Sequence, residues 1–256
     1  MPFRSFCLLI LICFIWSLNV VVSKLVIGDM GIPPLFYAAL RSLLVLAVLI
    51  RFVLPLPEDW MRVALVTLSV SGGSFALLFL GLREASPSSA AVVTLSSAPL
   101  TVMFAILILH EHIGWRRGVG IALTFVGVGV AVASPTGLES GWGLLLVFLS
   151  AALGALGTVF MKRIALDALR LQSWAGLSSA VVLFPASFAA ESGQFSAVLA
   201  AGWPFAAALL FSALIVSVAA HTAYFRLLQT HDANLIAPLT LMTPIFTMGL
   251  GIWLTG

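Results

Sequence analysis

Charge is what this sequence has least of. Asp, Glu, Lys and Arg make up 8% of its 256 residues, against 62% hydrophobic residues and a mean hydropathy of +1.19. A soluble domain carries about 25% charged residues. The deficit excludes a water-soluble enzyme and a nucleic-acid-binding protein, despite a net charge of +3, and leaves an all-α polytopic membrane protein. Cysteine is scarce too. Cys7 and Cys13 both lie in the first apolar run, so there is no disulfide framework. Acidic residues are missing from the middle third of every apolar run. That argues against a carboxylate proton relay or sodium site, and excludes an intramembrane aspartyl protease with paired mid-membrane carboxylates. No linker, soluble domain or low-complexity tract is present.

Nine apolar runs fill the chain, at about 6–27, 33–54, 60–82, 87–109, 115–134, 141–161, 170–190, 204–227 and 232–255. As helices, runs of roughly 20 residues cross a hydrocarbon core of about 30 Å. The first follows Arg4 like a secretion signal. No small-x-small site precedes Lys24 and the run is too long for a signal core, so it reads as a retained helix. With the N-terminus inside, Arg4, Arg51, Arg62, Arg116, Arg117, Lys162, Arg163, Arg170 and Arg226 fall inside, Lys24 and Arg83 outside, and Arg41 within a run. This bias predicts a cytoplasmic N-terminus in the cell's inner membrane. Trp60, Trp115, Trp142, Trp174, Trp203 and Trp253 lie near run ends, as an interfacial belt does, while Trp16 lies deep.

The stretch from Ser88 to Val132 organises the rest. Two runs flank a charged hinge, His110-Glu111-His112 to Arg116-Arg117. The first run carries Pro99 near its middle, which removes a backbone hydrogen bond and frees a carbonyl. In lipid such a break persists only where protein or a watery cavity satisfies the freed group. The second run carries Gly118, Gly120, Gly127 and Gly129, which suit close helix packing. The hinge histidines lack HExxH spacing and read as a solvated loop, so no metal is expected.

A faint internal repeat accompanies these runs. A shift of 145 residues lays Leu82, Pro99, Met103 and Leu109 on Leu227, Pro244, Met248 and Leu254. Thr94, Ser97 and Thr101 share one helix face in run four, and Thr240, Thr243 and Thr247 repeat the spacing in run nine. If run nine repeats run four, the unit is five runs, and an odd unit inverts in the membrane. That predicts an inverted 5+5 repeat, residues 1–134 and 141–256, with a substrate site between the halves.

These features resemble the drug/metabolite transporter superfamily in its two-repeat EamA-type branch. The resemblance rests on Trp16-Ser17-x-Asn19 with Lys24, Leu40-Arg41, Ala98-Pro99, Glu111, Gly120, Gly127-Val128, Lys162 and Thr243-Pro244, and spans essentially the whole sequence. It implies ten helices, both termini cytoplasmic, and transport of small organic metabolites, often amino-acid or drug efflux. The family continues with an acidic hinge and a tenth helix, whereas this sequence stops at Gly256. The expectation is therefore a truncated second half, with an exposed seam near Gly249, Gly251 and the run-five glycines.

Polar stripes nominate the cavity-lining residues. They are Trp16 and Asn19 in run one, Ser74 in run three, Thr94 and Ser97 in run four, His221 and Tyr224 in run eight, and Thr240 and Thr243 in run nine. For each hydroxyl the alternative is a bond back to the carbonyl one turn earlier. Arg41 lies roughly 10 Å inside run two at 1.5 Å per residue, with Tyr37 one turn earlier on the same face. An arginine at that depth marks function. It either anchors a substrate anion or carboxylate, or snorkels and is held structurally by backbone carbonyls or by Glu84. The expected function is a secondary transporter, an exporter of small organic solutes such as amino acids or drug-like molecules. The alternatives are a membrane-embedded enzyme on lipid-linked substrates, with Ser217 and His221 as the one candidate dyad, and a non-transporting helper subunit. The partners implied are a small organic solute and the lipid bilayer, with no cofactor; a homodimer is left open.

Overall fold

The computed structural model describes residues 2–109, 114–133, 141–231, 236 and 239–255. Among these, all regular structure is helical. The elements are α1 (Phe3–Gly28), α2 (Pro34–Leu49), α3 (Trp60–Leu68), a π-helical turn (Ser69–Gly73), α4 (Ser74–Gly81), α5 (Pro87–Thr94), α6 (Ser97–Leu109) and α7 (Trp115–Ala133). The second half supplies α8 (Gly141–Met161), α9 (Ala168–Ala190), α10 (Gln194–Leu210), a π-helical segment (Phe211–His221), α11 (Thr222–Thr230) and α12 (Met242–Thr255). Seven helical stretches of the described residues are long and apolar enough to cross a membrane. Among the described residues α7 adds a shorter apolar stretch, Gly118–Gly127. Within the described residues, each of the nine predicted runs falls on helix. The His110-Glu111-His112 hinge lies outside the described residues.

The proline in run four breaks its helix one turn upstream. Pro99 has no N–H for the carbonyl of Leu95. There the chain tightens, with Leu95 N donating to Val92 O at 3.2 Å and Ser96 N to Val93 O at 3.1 Å. A second turn at Leu241 interrupts run nine three residues before Pro244. The 145-residue shift superposes Ser96 on Leu241. It also carries the π-helical turn Ser69–Gly73 onto 214–218, inside the second π-helical segment. Two kinds of backbone irregularity thus recur at one spacing.

Packing recurs as well. α1 packs on α12, as α8 packs on α5 and α6. The π-turn and α4 pack on α8, as the second π-segment packs on α1. α2 pairs with α9, and α5 with α12. Exchanging runs one to four with six to nine maps these contacts onto one another. Among the described residues α7 packs substantially on α5 and α6 alone, and outside its own helix none of their atoms lies within 4 Å of the Cβ position at Gly118, Gly120, Gly127 or Gly129. Gly249 is equally open, but Gly251 abuts Ser88.

One end of the bundle is sealed. Val26, Tyr37, Phe79, Leu82, Leu144 and Phe205 are buried in one apolar cluster there. Lys24 Nζ donates to the carbonyls of Leu82 at 2.8 Å and Ala85 at 3.2 Å, covering the orphan groups after α4. The Glu191 carboxylate accepts from Leu35 N at 2.8 Å and Phe36 N at 2.9 Å, so α9 caps the start of α2. Gly202, at φ 59° and ψ −140°, kinks α10 just before the spanning part of run eight, a conformation open to glycine. Trp174 corrects the belt assignment. It is 3% exposed, because α9 packs on both α2 and α3. Pro185 sits inside a continuous α9.

Candidate functional site: a central cavity

Runs one, three, four, six, eight and nine enclose a cavity of about 260 Å³. It extends from mid-bundle towards the end where α8 stops, reaching Thr158, Lys162 and Leu228. A second recess lined by Lys162, Gln229 and His231 adjoins it there. The opposite end is the sealed one. The chamber is therefore one-sided. The helix breaks shape its wall. Thr94 and Ser97 flank the turn in run four, and Thr240 and Thr243 flank the turn in run nine, and all four line the cavity.

The deep face is aromatic. The Trp16 ring centroid lies 4.9 Å from that of Tyr224, at 70°, and 5.0 Å from that of His221. Phe75 meets His221 edge-on at 5.6 Å. His221 Nδ1 lies 2.7 Å from the carbonyl of Val216. A carbonyl only accepts, so Nδ1 carries the proton and Nε2 is left as an acceptor in the neutral ring. Two buried polar atoms on this lining, Trp16 Nε1 and Thr243 Oγ1, have no hydrogen-bond partner. Buried polar groups are ordinarily satisfied, so these two stand out as open hydrogen-bonding positions on the lining. Among the described residues Lys162 is the sole charged side chain on the lining, at the mouth, and no carboxylate lines it.

Eight of the eleven nominated residues meet here: Trp16, Ser74, Thr94, Ser97, His221, Tyr224, Thr240 and Thr243. Several hydroxyls also bond back within their helix. Thr94 donates to Ala91 O at 2.8 Å, Ser74 to Val70 O at 2.8 Å, and Thr101 to Ser97 O at 2.8 Å. Back-bonding and lining coexist, because a back-bonded hydroxyl keeps its lone pairs as open acceptors.

Asn19, Tyr37 and Arg41 lie elsewhere, in the contact between α1, α2 and the second π-segment. Ser212 donates to Asn19 Oδ1 at 2.7 Å, and its hydroxyl lies 2.5 Å from that of Tyr37. Tyr37 also stacks on Phe79 at 5.0 Å. Arg41 Nε donates to Ser217 Oγ at 2.7 Å, while Nη1 and Nη2 are buried without a hydrogen-bond partner. Glu84 thus bonds neither Nη. Ser217 in turn donates to Ser212 O at 2.9 Å, so its proton is not shared with His221 and the candidate dyad is not formed. Of the run-three hydroxyls, Ser74 lines the cavity. Thr67 is buried against Ser178 at 3.2 Å.

Sequence reasoning missed Phe75, Phe225, Gly154 and Thr158 on the lining. Thr158 stands one turn after Gly154, a small-and-hydroxyl pattern that marks a face. Phe75 and Phe225 carry no such signal in so apolar a chain.

Comparison with known proteins converges on one family. The profile of the EamA-like transporter family matches this chain twice, over residues 3–133 and 141–256. A Salmonella typhimurium protein named "Probable amino-acid metabolite efflux pump" is 28% identical over 97% of this chain and 88% of its own length. An Escherichia coli protein of the same name is 26% identical over 93% of this chain and 82% of its own. An uncharacterised transporter of Bacillus subtilis is 28% identical, covering 96% and 82%.

Proposed function

The chain belongs to the EamA-like transporter family, a multi-pass membrane transporter of small molecules, and we propose that it exports amino-acid-like metabolites through the central cavity by alternating access. The observation that carries this reading is the chamber itself. It is closed at one end, open towards the other, and holds the unsatisfied Trp16 Nε1 and Thr243 Oγ1 beside an aromatic floor.

Size and charge narrow the solute. Drug-sized ligands occupy sites of about 300–1,000 Å³, and this cavity, at about 260 Å³, suits an amino-acid-sized one. Among the described residues no carboxylate lines the cavity, so they offer a simple cation no counter-charge. A zwitterion or anion fits better, its ammonium on ring faces and the His221 lone pair. The two halves, 1–134 and 141–256, act as an inverted pair, so the alternative state is reached by exchanging their conformations. The matching helix breaks, π-segments and contacts support that reading. With the positive-inside bias, the N-terminus is cytoplasmic in the inner membrane, the cavity is inward-open, and the apolar cluster is the outer gate.

Reconstitution into proteoliposomes tests it. Saturable counterflow of radiolabelled leucine, phenylalanine, threonine or methionine above protein-free vesicles is expected, with flux lost in Trp16→Ala. No movement of any of them would overturn the proposal.

A further inference from the structure

Arg41 is 3% exposed and faces a recess beside the cavity. Its guanidinium has one bond, from Nε to Ser217 Oγ at 2.7 Å. Nη1 and Nη2 are buried and bonded to nothing. The recess is walled by Ser71, Gln172, Gly176, Ser217 and Phe75. The Phe75 ring lies under the guanidinium, with Cζ 3.9 Å from its centroid. Phe75 also lines the central cavity. One ring therefore separates the buried charge from the solute chamber.

A buried cation without a counter-charge is costly. The negative face of an aromatic ring offsets part of that cost, and a serine hydroxyl a little more. Neither uses the two parallel Nη donors, whose fork matches a carboxylate. We propose that Arg41 and its recess form an occluded carboxylate subsite, gated from the central cavity by the side chain of Phe75. This deepens the export reading and rests on it: the cavity holds the body of the solute, and Arg41 takes its carboxylate once Phe75 swings aside.

The recess measures about 10 Å³, room for no more than about one water. A carboxylate enters only by displacing the ring. Phe75 stands two residues past the π-helical turn Ser69–Gly73, and π-turns concentrate at functional sites, where the i→i+4 ladder is already relaxed. The far wall does not yield. A Cβ on Gly176 would lie 2.9 Å from Leu46 N and 3.1 Å from Ser42 O, so α2 and α9 are in backbone contact there. The ring is the movable wall. The exchange is one of partners at the guanidinium, ring face for carboxylate.

The test reads Arg41 itself. The purified full chain is treated with phenylglyoxal, and modification of Arg41 is followed by peptide mass spectrometry. Slow modification is expected in the native protein. In Phe75→Ala it rises about tenfold, if the native gate is open about a tenth of the time. Benzoate then slows the reaction in Phe75→Ala, whereas the uncharged isostere benzamide at equal concentration does not. Phe75→Leu fills the space without a ring face, also speeds modification, and serves if Phe75→Ala does not give a monodisperse protein. Unchanged Arg41 reactivity in the folded variants would overturn the gate. Equal effects of benzoate and benzamide, or none from either, would overturn the carboxylate subsite. Reactivity is read without flux, so either failure leaves the export reading standing, and absent flux leaves the subsite testable.

Discussion

Ser17 donates its hydroxyl to the main-chain carbonyl of Thr243 at 2.8 Å, across the contact between α1 and α12. The acceptor lies in the first turn of α12 and also takes a bond from Thr247 Oγ1 at 2.9 Å. Ser17 Oγ also lies 2.7 Å from Cys13 O, so its single proton is shared between a carbonyl of α1 and one of α12. Ser17→Ala removes this bond between α1 and α12, while Thr247 still donates to the Thr243 carbonyl, so the cost is that of one hydrogen bond, about 0.5–1.5 kcal/mol. A lower thermal unfolding midpoint in detergent is expected. An unchanged midpoint would show that the bond does not hold α1 against α12.

The sealed end rests on two charged side chains used as caps. Lys24 covers carbonyls at the end of α4, and Glu191 covers amides at the start of α2. Hydrogen bonds to charged groups contribute about 1.5–3 kcal/mol. Lys24→Met is expected to lower the unfolding midpoint and to raise maleimide labelling of a cysteine at Ala85. Glu191→Gln, which keeps an acceptor oxygen, is expected to cost less than Glu191→Ala. Equal midpoints for the two Glu191 variants would contradict the capping account.

Glycines divide into two classes here. A Cβ on Gly157 would lie 2.6 Å from Val70 Cγ2 and 3.0 Å from Val70 N, where α8 crosses the π-turn. Gly157→Ala is expected to destabilise by about 1–3 kcal/mol through overpacking. Gly118 has nothing within 4 Å, so Gly118→Ala is expected to be neutral. Thermal unfolding of the pair checks this, and the reverse order would contradict the packing described.

The nine runs could be read from the sequence because lipid forces every backbone polar group into a helix. Pro99, Pro244 and the hydroxyl stripes beside them were legible for the same reason, since a break in lipid needs a polar neighbour. Arg41 shows where such reading stops. Its depth and face said that it points inward. Whether inward meant the cavity or a helix contact depended on Phe75, an apolar residue among many. Trp174 lies near a helix end, yet it is buried, because neighbouring helices cover that end of α9. The Asn19–Ser212–Tyr37 bonds join residues 175 or more apart in sequence, and no local pattern announces them.

Accessibility follows from the one-sided chamber. With Cys7 and Cys13 replaced by serine, Thr158→Cys is expected to react with a membrane-impermeant maleimide from the cytoplasmic side, and Phe79→Cys from neither side. Phe79 is fully buried in the sealing cluster. Labelling of Phe79→Cys with Thr158→Cys silent would reverse the assignment of open and closed ends.

The central claim is that the solute passes through the cavity between runs one, three, four, six, eight and nine. Ser97 lines it and stands at the start of α6, beside the break. The most direct measurement is flux and labelling of Ser97→Cys in the cysteine-free background. The account predicts that a maleimide at this position abolishes counterflow, and that the transported amino acid slows labelling in proportion to occupancy. Undiminished counterflow in fully labelled protein would contradict it.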